Sequence, residues 1–308
     1  KLRGSYGLVG NDRIGSRRFL YLDDIQVIAG GYTTSLGNGQ YVVTSLLKNH
    51  EITWETAKKA NIGFEIGLKN GLGLIVDIFQ EKRDNILRNR GTVPVLNGLP
   101  ISVLPPVNIG KVVNRGYEIE LNYKKSFNKD LFVLAKANLN YAKNKQTFAD
   151  EPLLPEEYAF RYRQTGYTIG QRFGYIVEGY FSDAEDVEKS PVQSVGGHVS
   201  RPGDFKYRDL NGDGVVDLKD QAPIGYSSVP EYTFGGVLNV GYKNFDISFL
   251  FQGVSHVTNY ITGNGVFSTD NFVARHLESW TAERAANGDP INYPRLTTQT
   301  SPNEIANS

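Results

Sequence analysis

The sequence predicts an all-β fold: an antiparallel transmembrane β-barrel, of which this chain supplies about seven spanning strands, with long extracellular loops. Three observations carry that expectation. Apolar and polar residues alternate with period two over segments longer than the ~5 to 6 residues typical of soluble sheets. The turns inside hairpins are very short. The connections between hairpins are long, at roughly residues 85–112, 146–231 and 257 onward, which is the loop asymmetry of outer-membrane barrels. Composition agrees, with 33 Gly, 18 Tyr and 16 Phe among 308 residues, a mix suited to strands, tight turns and aromatic belts. No apolar run approaches the ~20 residues of a membrane-spanning helix.

The strands follow in order. Residues 1–9 form the first span and 53–69 the second. In the second, Ile62, Phe64, Ile66 and Leu68 share one face, while Asn61, Gly63, Glu65, Gly67 and Lys69 share the other. Asn70-Gly71 readily adopts the positive φ of a two-residue hairpin turn, and the return span over 72–84 places Leu72, Leu74, Val76 and Ile78 opposite Gly73, Ile75, Asp77 and Phe79. The next hairpin pairs 113–126 with 131–145, setting Tyr117, Ile119, Leu121 and Tyr123 against Glu118, Glu120 and Asn122. The last pairs 232–243 with 245–256 around Lys243-Asn244, with Phe245, Ile247, Phe249 and Phe251 opposite Asp246, Ser248 and Gln252. Trp54, Tyr123, Tyr141, Tyr242 and Phe245 stand at strand ends, where interfacial girdles sit. With this parity every long connection falls on one side. The strand-like run Gln171 to Phe181 therefore belongs to the outer excursion of residues 146–231, and 274–286 reads as a short helix in the last outer loop. Seven is odd, whereas single-chain bacterial barrels take an even count. From that parity and the absence of any Met, the chain is expected to be part of a longer protein or an interior stretch of one. The competing fold is a soluble antiparallel sandwich, which also alternates and also uses Asn-Gly turns.

The charge balance narrows the function classes. The 33 basic and 33 acidic residues cancel, so no global field recruits nucleic acid, and partners must be recognised at local sites. Cysteine is absent, excluding disulfides and thiolate metal sites. The four histidines, His50, His198, His256 and His276, have no metal or triad spacing. Glu118 and Glu120 lie at i and i+2 on one strand face, so they do not flank a bond as glycosidase acids must. Gly37-Asn38-Gly39 lacks the strand-to-helix context of a phosphate loop. No enzymatic chemistry is expected.

One motif points to a ligand. Asp209, Asn211, Asp213, Val215 (through its carbonyl), Asp217 and Asp220 match positions 1, 3, 5, 7, 9 and 12 of a calcium loop, with Gly214 at position 6. Asp220 replaces the usual bidentate Glu. No flanking helices of EF-hand length are evident, so the expected role is a structural calcium staple rather than a sensor. The alternative is an Asx-rich surface turn that binds no ion, because Asn, Asp and Gly are also the ordinary turn residues.

The run Gly203-Asp204-Phe-Lys-Tyr-Arg-Asp209-Leu-Asn-Gly-Asp-Gly-Val-Val-Asp217, then Pro223-Ile-Gly225, Pro230-Glu-Tyr-Thr-Phe-Gly235 and Tyr242-Lys-Asn-Phe-Asp-Ile-Ser-Phe-Leu-Phe-Gln-Gly253, resembles the C-terminal barrel region of SusC/RagA-type TonB-linked outer-membrane proteins. Leu2-Arg-Gly-Ser-Tyr6, Ile52-Thr-Trp54, Asn114-Arg-Gly116-Tyr-Glu118, His276-Leu-Glu-Ser-Trp280 and Tyr293-Pro-Arg295 extend the resemblance, in order, over nearly the whole chain. It implies a 22-stranded barrel with an N-terminal plug, a cell outer membrane of the Gram-negative, Bacteroidetes type, an inner-membrane TonB complex supplying energy, and a SusD-like surface lipoprotein capturing glycan or peptide substrates. The plug and the TonB-contacting segment are not in this sequence. Arg83, Arg88, Arg161 and Arg163 are candidate substrate contacts. The competing function is a secreted, calcium-stabilised β-sandwich for binding or adhesion.

Overall fold

Period-two alternation turns successive side chains to opposite faces of an extended chain, and such segments joined by short turns pair antiparallel. The computed structural model describes all residues except 13–18, 35–36, 95–97, 161–163, 198, 260–273 and 298–308. Along the chain come β1 (Leu2–Asn11), β2 (Asp24–Thr34), β3 (Gly37–Leu46), β4 (Glu55–Gly67), β5 (Leu72–Arg88), β6 (Val107–Ser126) and β7 (Leu131–Phe148). Six short strands follow: β8 (Arg172–Gly174), β9 (Val177–Tyr180), β10 (Val192–Gln193), β11 (Phe205–Tyr207), β12 (Val215–Val216) and β13 (Ala222–Ile224). The chain then forms β14 (Tyr232–Tyr242) and β15 (Phe245–Ser255). Two six-residue helices are present, α1 (Ala184–Lys189) and α2 (Ala282–Asn287).

The chain divides into two compact units, one from Lys1–Pro152, Arg163–Ile169 and Pro230–His256, the other from Leu153–Tyr162, Gly170–Val229 and Val257–Ser308. The first unit is built on a seven-stranded antiparallel sheet in the order β1-β4-β5-β6-β7-β14-β15. All seven expected spans are present and pair as expected. The sandwich alternative fails, because it needs a second sheet to cover the apolar face, and the other sheets among the described residues have two strands each.

Three strand boundaries differ from the sequence expectation. β5 continues to Arg88 and β6 begins at Val107, so their connection is shorter than residues 85–112. A register shift between Arg83 and Ile86, with Asn85 at φ 60°, interrupts the alternation there. β7 likewise runs past a shift opposite Lys111 and Val112 to Phe148. The hairpin β2–β3, a separate two-stranded sheet, was not anticipated. Its register shifts between Ala29 and Tyr32, which erases the period-two signal. Gly37 and Gly39 lie at the start of β3.

The second unit has its own small core of Val195, Tyr207 and Val216, with Tyr175 and Phe205 packed against it. Burial raises the Tyr207 phenol well above its ordinary range. The run from Gln171 to Phe181 forms β8 and β9, which pair locally with β13 and β11 and do not span. The helix expected over 274–286 is split. A 3-10 turn covers Ala274–Glu278, and α2 starts afresh after its N-cap, Thr281, whose hydroxyl accepts the Arg284 amide.

Candidate functional site

The sheet register decides which residues share a face, and it separates two chemically opposite surfaces. On one, Gly4, Ile62, Ile78, Tyr117, Tyr141 and Tyr232 stand in a single row across six strands. Below it, toward the short turns, Leu2, Phe64, Val76, Ile119, Leu139, Phe234 and Gly253 form the next row. Leu121, Leu238, Phe249 and Phe251 continue the band. Ile62 is 64% exposed and Phe249 60% exposed, a contiguous apolar surface far larger than a water-soluble protein leaves bare. Aromatic rings close both ends. Tyr117, Tyr141 and Tyr232 pack as tilted rings with centroids 5.3 and 4.6 Å apart; Tyr123, Tyr242 and Phe245 mark the turn end. From Tyr232 to Tyr242 the strand covers roughly 33 Å, which a tilt of about 40° converts to ~25 Å, the height of the apolar band of an outer-membrane barrel.

The opposite face is polar. Arg3, Gly63 and Asp77 lie in register on β1, β4 and β5. The Arg3 guanidinium bonds the Asp77 carboxylate across Gly63, where any Cβ would collide with both side chains. Asn122 donates to Glu120 at 2.7 Å, Asn140 to Thr233 at 3.3 Å and Ser248 to Asn239 at 2.6 Å. Glu118 and Glu120 lie on this face, as their strand parity predicts. Nearer the long connections Lys59 pairs with Glu81 at 3.7 Å and Arg83 with Glu55 at 3.0 Å. Arg88 bonds the Gln146 side chain; Arg161 and Arg163 lie outside the described residues. Apolar residues interrupt this face: Phe79 covers Gly116 and Phe132 covers Gly241, and Ile75, Leu134, Val237, Leu250 and Val254 share the same parity.

In the second unit, Asp209 to Asp220 closes on itself through backbone N–H groups. Asp209 accepts from Gly212 at 2.7 Å and Gly214 at 2.8 Å, Asn211 Oδ1 from Asp213 at 3.0 Å, and Asp213 from Val215 at 2.9 Å. Gly212 and Gly214 sit at φ 78° and 85°, a left-handed geometry that other residues adopt only with strain. Asp217 and Asp220 form a reciprocal capping box. The Asp220 carboxylate, fully buried, accepts from Leu210 at 2.8 Å, Asn211 at 3.3 Å and Asp217 at 2.8 Å. The Val215 amide, then the Asn211 side chain, hold the Asp213 carboxyl below the usual range. A bond to Glu157 holds the Lys219 ammonium above its own; Lys219 lies 3.2 Å from Glu157 and 3.9 Å from Asp213. Among the described residues no group of three His, Cys, Asp or Glu is arranged to hold a metal. Asp209, Asn211 and Asp213 keep unused acceptor lone pairs, whereas Asp220, with about four acceptor positions, has three engaged.

A second feature of this unit joins segments far apart in sequence. Asp204 is fully buried, and Arg295 donates to it from Nε at 2.6 Å and from Nη2 at 3.4 Å. Gly203, at φ 84°, lies against the Trp280 ring. Both ends occur in the motifs that carry the resemblance, but nothing in their spacing says that they meet.

The chain matches the family model described as TonB dependent receptor-like, beta-barrel, over residues 13–298. It belongs to the TonB-dependent receptor β-barrel family. TonB-dependent receptor P3 of Formosa agariphila is 29% identical over 82% of this chain and 25% of its own length. TonB-dependent receptor SusC of Bacteroides thetaiotaomicron is 27% identical over 85% of this chain and 25% of its own. The structure of the RagAB peptide importer in its 'closed-closed' state superposes with a TM-score of 0.65 at 21% identity, covering 97% of this chain and 31% of that one. The chain thus spans about a quarter of the length of the curated relatives it matches.

As a TonB-dependent receptor barrel, the chain is an outer-membrane protein, and the two faces take their meaning from that. The apolar rows are the lipid-facing wall and the polar rows the lumen. In outer-membrane barrels short turns face the periplasm and long connections the cell exterior; here the short turns join β4 to β5, β6 to β7 and β14 to β15 at one end of the sheet.

Proposed function

We propose that the protein containing this chain is a SusC/RagA-type TonB-dependent transporter that imports oligosaccharides or peptides through its lumen. A SusD-like surface lipoprotein delivers the substrate, and the TonB complex supplies energy through parts of the protein outside this sequence. The observation that carries the reading is the two-faced sheet: a lipid-facing apolar band of the right height backed by a hydrogen-bonded polar lumen. The test is uptake of labelled oligosaccharide and peptide pools by cells with and without the gene. Loss of uptake of one pool on deletion, and equal loss on dissipating the proton gradient, supports the proposal. Uptake that survives both manipulations overturns it. Affinity capture of the full-length receptor checks the partner, since a surface lipoprotein of stoichiometric abundance is expected in the complex.

We further propose that Asp209, Asn211, Asp213, the Val215 carbonyl, Asp217 and Asp220 form a structural calcium staple in the extracellular excursion. The residue spacing, the left-handed glycines and the spare lone pairs of Asp209, Asn211 and Asp213 support it. Chelation of the purified receptor is expected to increase protease cleavage between residues 205 and 225, with magnesium failing to restore protection. Cleavage unchanged by chelator and by added calcium overturns it.

A further inference from the structure

We propose that the outer wall of this barrel carries a binding site for phosphate-bearing lipid headgroups of the extracellular leaflet, formed by Arg115, Lys143, Lys58, Lys82 and Lys145. The inference rests on the outer-membrane placement of the chain, not on the identity of the cargo. Moving along the lipid-facing side from the row of Tyr117, Tyr141 and Tyr232 toward the long connections, the next row reads Tyr6, Ala60, Gln80, Arg115, Lys143. The row after it reads Leu8, Lys58, Lys82, Val113, Lys145. All five cations are exposed. At ~3.3 Å per residue and a tilt of about 40°, the two rows stand roughly 5 and 10 Å beyond the aromatic girdle, the level at which headgroups replace acyl chains. The patch covers four adjacent strands, roughly 15 Å by 7 Å.

Charge arithmetic makes an anion the fitting occupant. Among the described residues, the carboxylates that reach these rows are Asp84, 3.5 Å from Lys58, and Glu231, 2.8 Å from Lys143. Five cations therefore face two carboxylates. Arg115 also donates to Gln80 at 2.7 Å, which fixes its side chain along the wall. Lys58 stands directly opposite Lys82, and Arg115 directly opposite Lys143, and like charges in cross-strand register repel. A multivalent anion laid across the four strands relieves both pairs. The lumen at the same height is neutralised internally, by Lys59 with Glu81 and Arg83 with Glu55, so the excess belongs to the lipid side alone. At the other end of the band, the row of Lys125, Val133, Val240 and Ile247 carries a single cation. The apolar band beneath the patch seats the acyl chains of the same molecule, so a lipid satisfies both surfaces where a free anion satisfies one.

The test compares three forms of the full-length receptor in detergent: wild type, one with Arg115, Lys143, Lys58, Lys82 and Lys145 all changed to Gln, and one with the turn-end Lys69, Lys124, Lys125, Lys129 and Lys243 changed to Gln. Each is titrated with bisphosphorylated lipid A, its dephosphorylated analogue and inorganic phosphate, read by native mass spectrometry. The expected result is at least about tenfold weaker binding of the bisphosphorylated lipid to the first variant, with near-wild-type binding to the second and folding of both confirmed by heat-modifiable gel mobility. Equal binding by wild type and the first variant, equal loss in both variants, no preference for the phosphorylated lipid, or displacement of it by an equal concentration of inorganic phosphate each overturns the proposal. If the fivefold variant does not fold, the pairs Lys58→Gln/Lys82→Gln and Arg115→Gln/Lys143→Gln are read in the same assay, each with an expected loss of about threefold or more.

Discussion

Asp220 sits at the last position of a motif whose spacing suggests a ligand, yet its carboxylate closes the loop on three backbone amides while fully buried. Replacing it by Ala leaves those amides without a charged acceptor, at a cost of about 3 kcal/mol locally. Exchange of the Leu210, Asn211 and Asp217 amides is then expected to accelerate by roughly two orders of magnitude. Arg295→Met removes the charged partner of the buried Asp204 carboxylate, which keeps the Arg201 amide at 2.9 Å, at a cost of about 3–5 kcal/mol, and the double change with Asp204→Asn recovers part of that. Proteolysis of residues 200–208 reads both. Acid acts on two carboxyls in the connection from β7 to β14. Lys206 at 2.7 Å and the Ser182 amide hold Asp186 below the usual range, as the Thr92 hydroxyl and the Gly91 and Thr92 amides hold Asp150. Because both folded values are depressed, their contribution is complete above the ordinary carboxylate pKa and is lost as pH falls through the lowered folded values. Hydrogen exchange in residues 89–92 and 182–190 is therefore expected to be flat from pH 7 to about 5, after correction for intrinsic rates, and to rise below about pH 4. The acidic motif was legible residue by residue. The Asp204–Arg295 pair was not, since its members are 91 positions apart.

At the scale of the strand, alternation was sufficient wherever the pleat is regular, and β4, β14 and β15 fall close to the expected bounds. It failed at bulges. One extra residue flips every later side chain to the other face, so the ends of β5 and β7 and all of β2–β3 escaped a period-two reading. The face assignment makes an asymmetric prediction. Phe249→Arg places a charge in the lipid-facing band and is expected to cost about 2–4 kcal/mol of folding free energy, whereas Asn138→Arg, on the lumen face, is expected to cost less than about 1. Reversible unfolding in lipid or detergent, followed by tryptophan emission and gel mobility, measures both. Comparable costs would reverse or abolish the assignment of the faces.

For the molecule as a whole, the exposed apolar band predicts that the receptor stays monodisperse in detergent or lipid and aggregates when these are removed, which light scattering during detergent depletion reads directly. The order of residues alone was enough for the seven long strands of the main sheet, their short turns and the position of an acidic loop, because each depends on neighbours a few residues apart. Only the folded chain decides which residues line up across seven strands, that the wall carries five cations above its aromatic girdle, and that Asp220 serves backbone amides. Cross-strand register and side-chain partnering join residues tens of positions apart, and no local period encodes them.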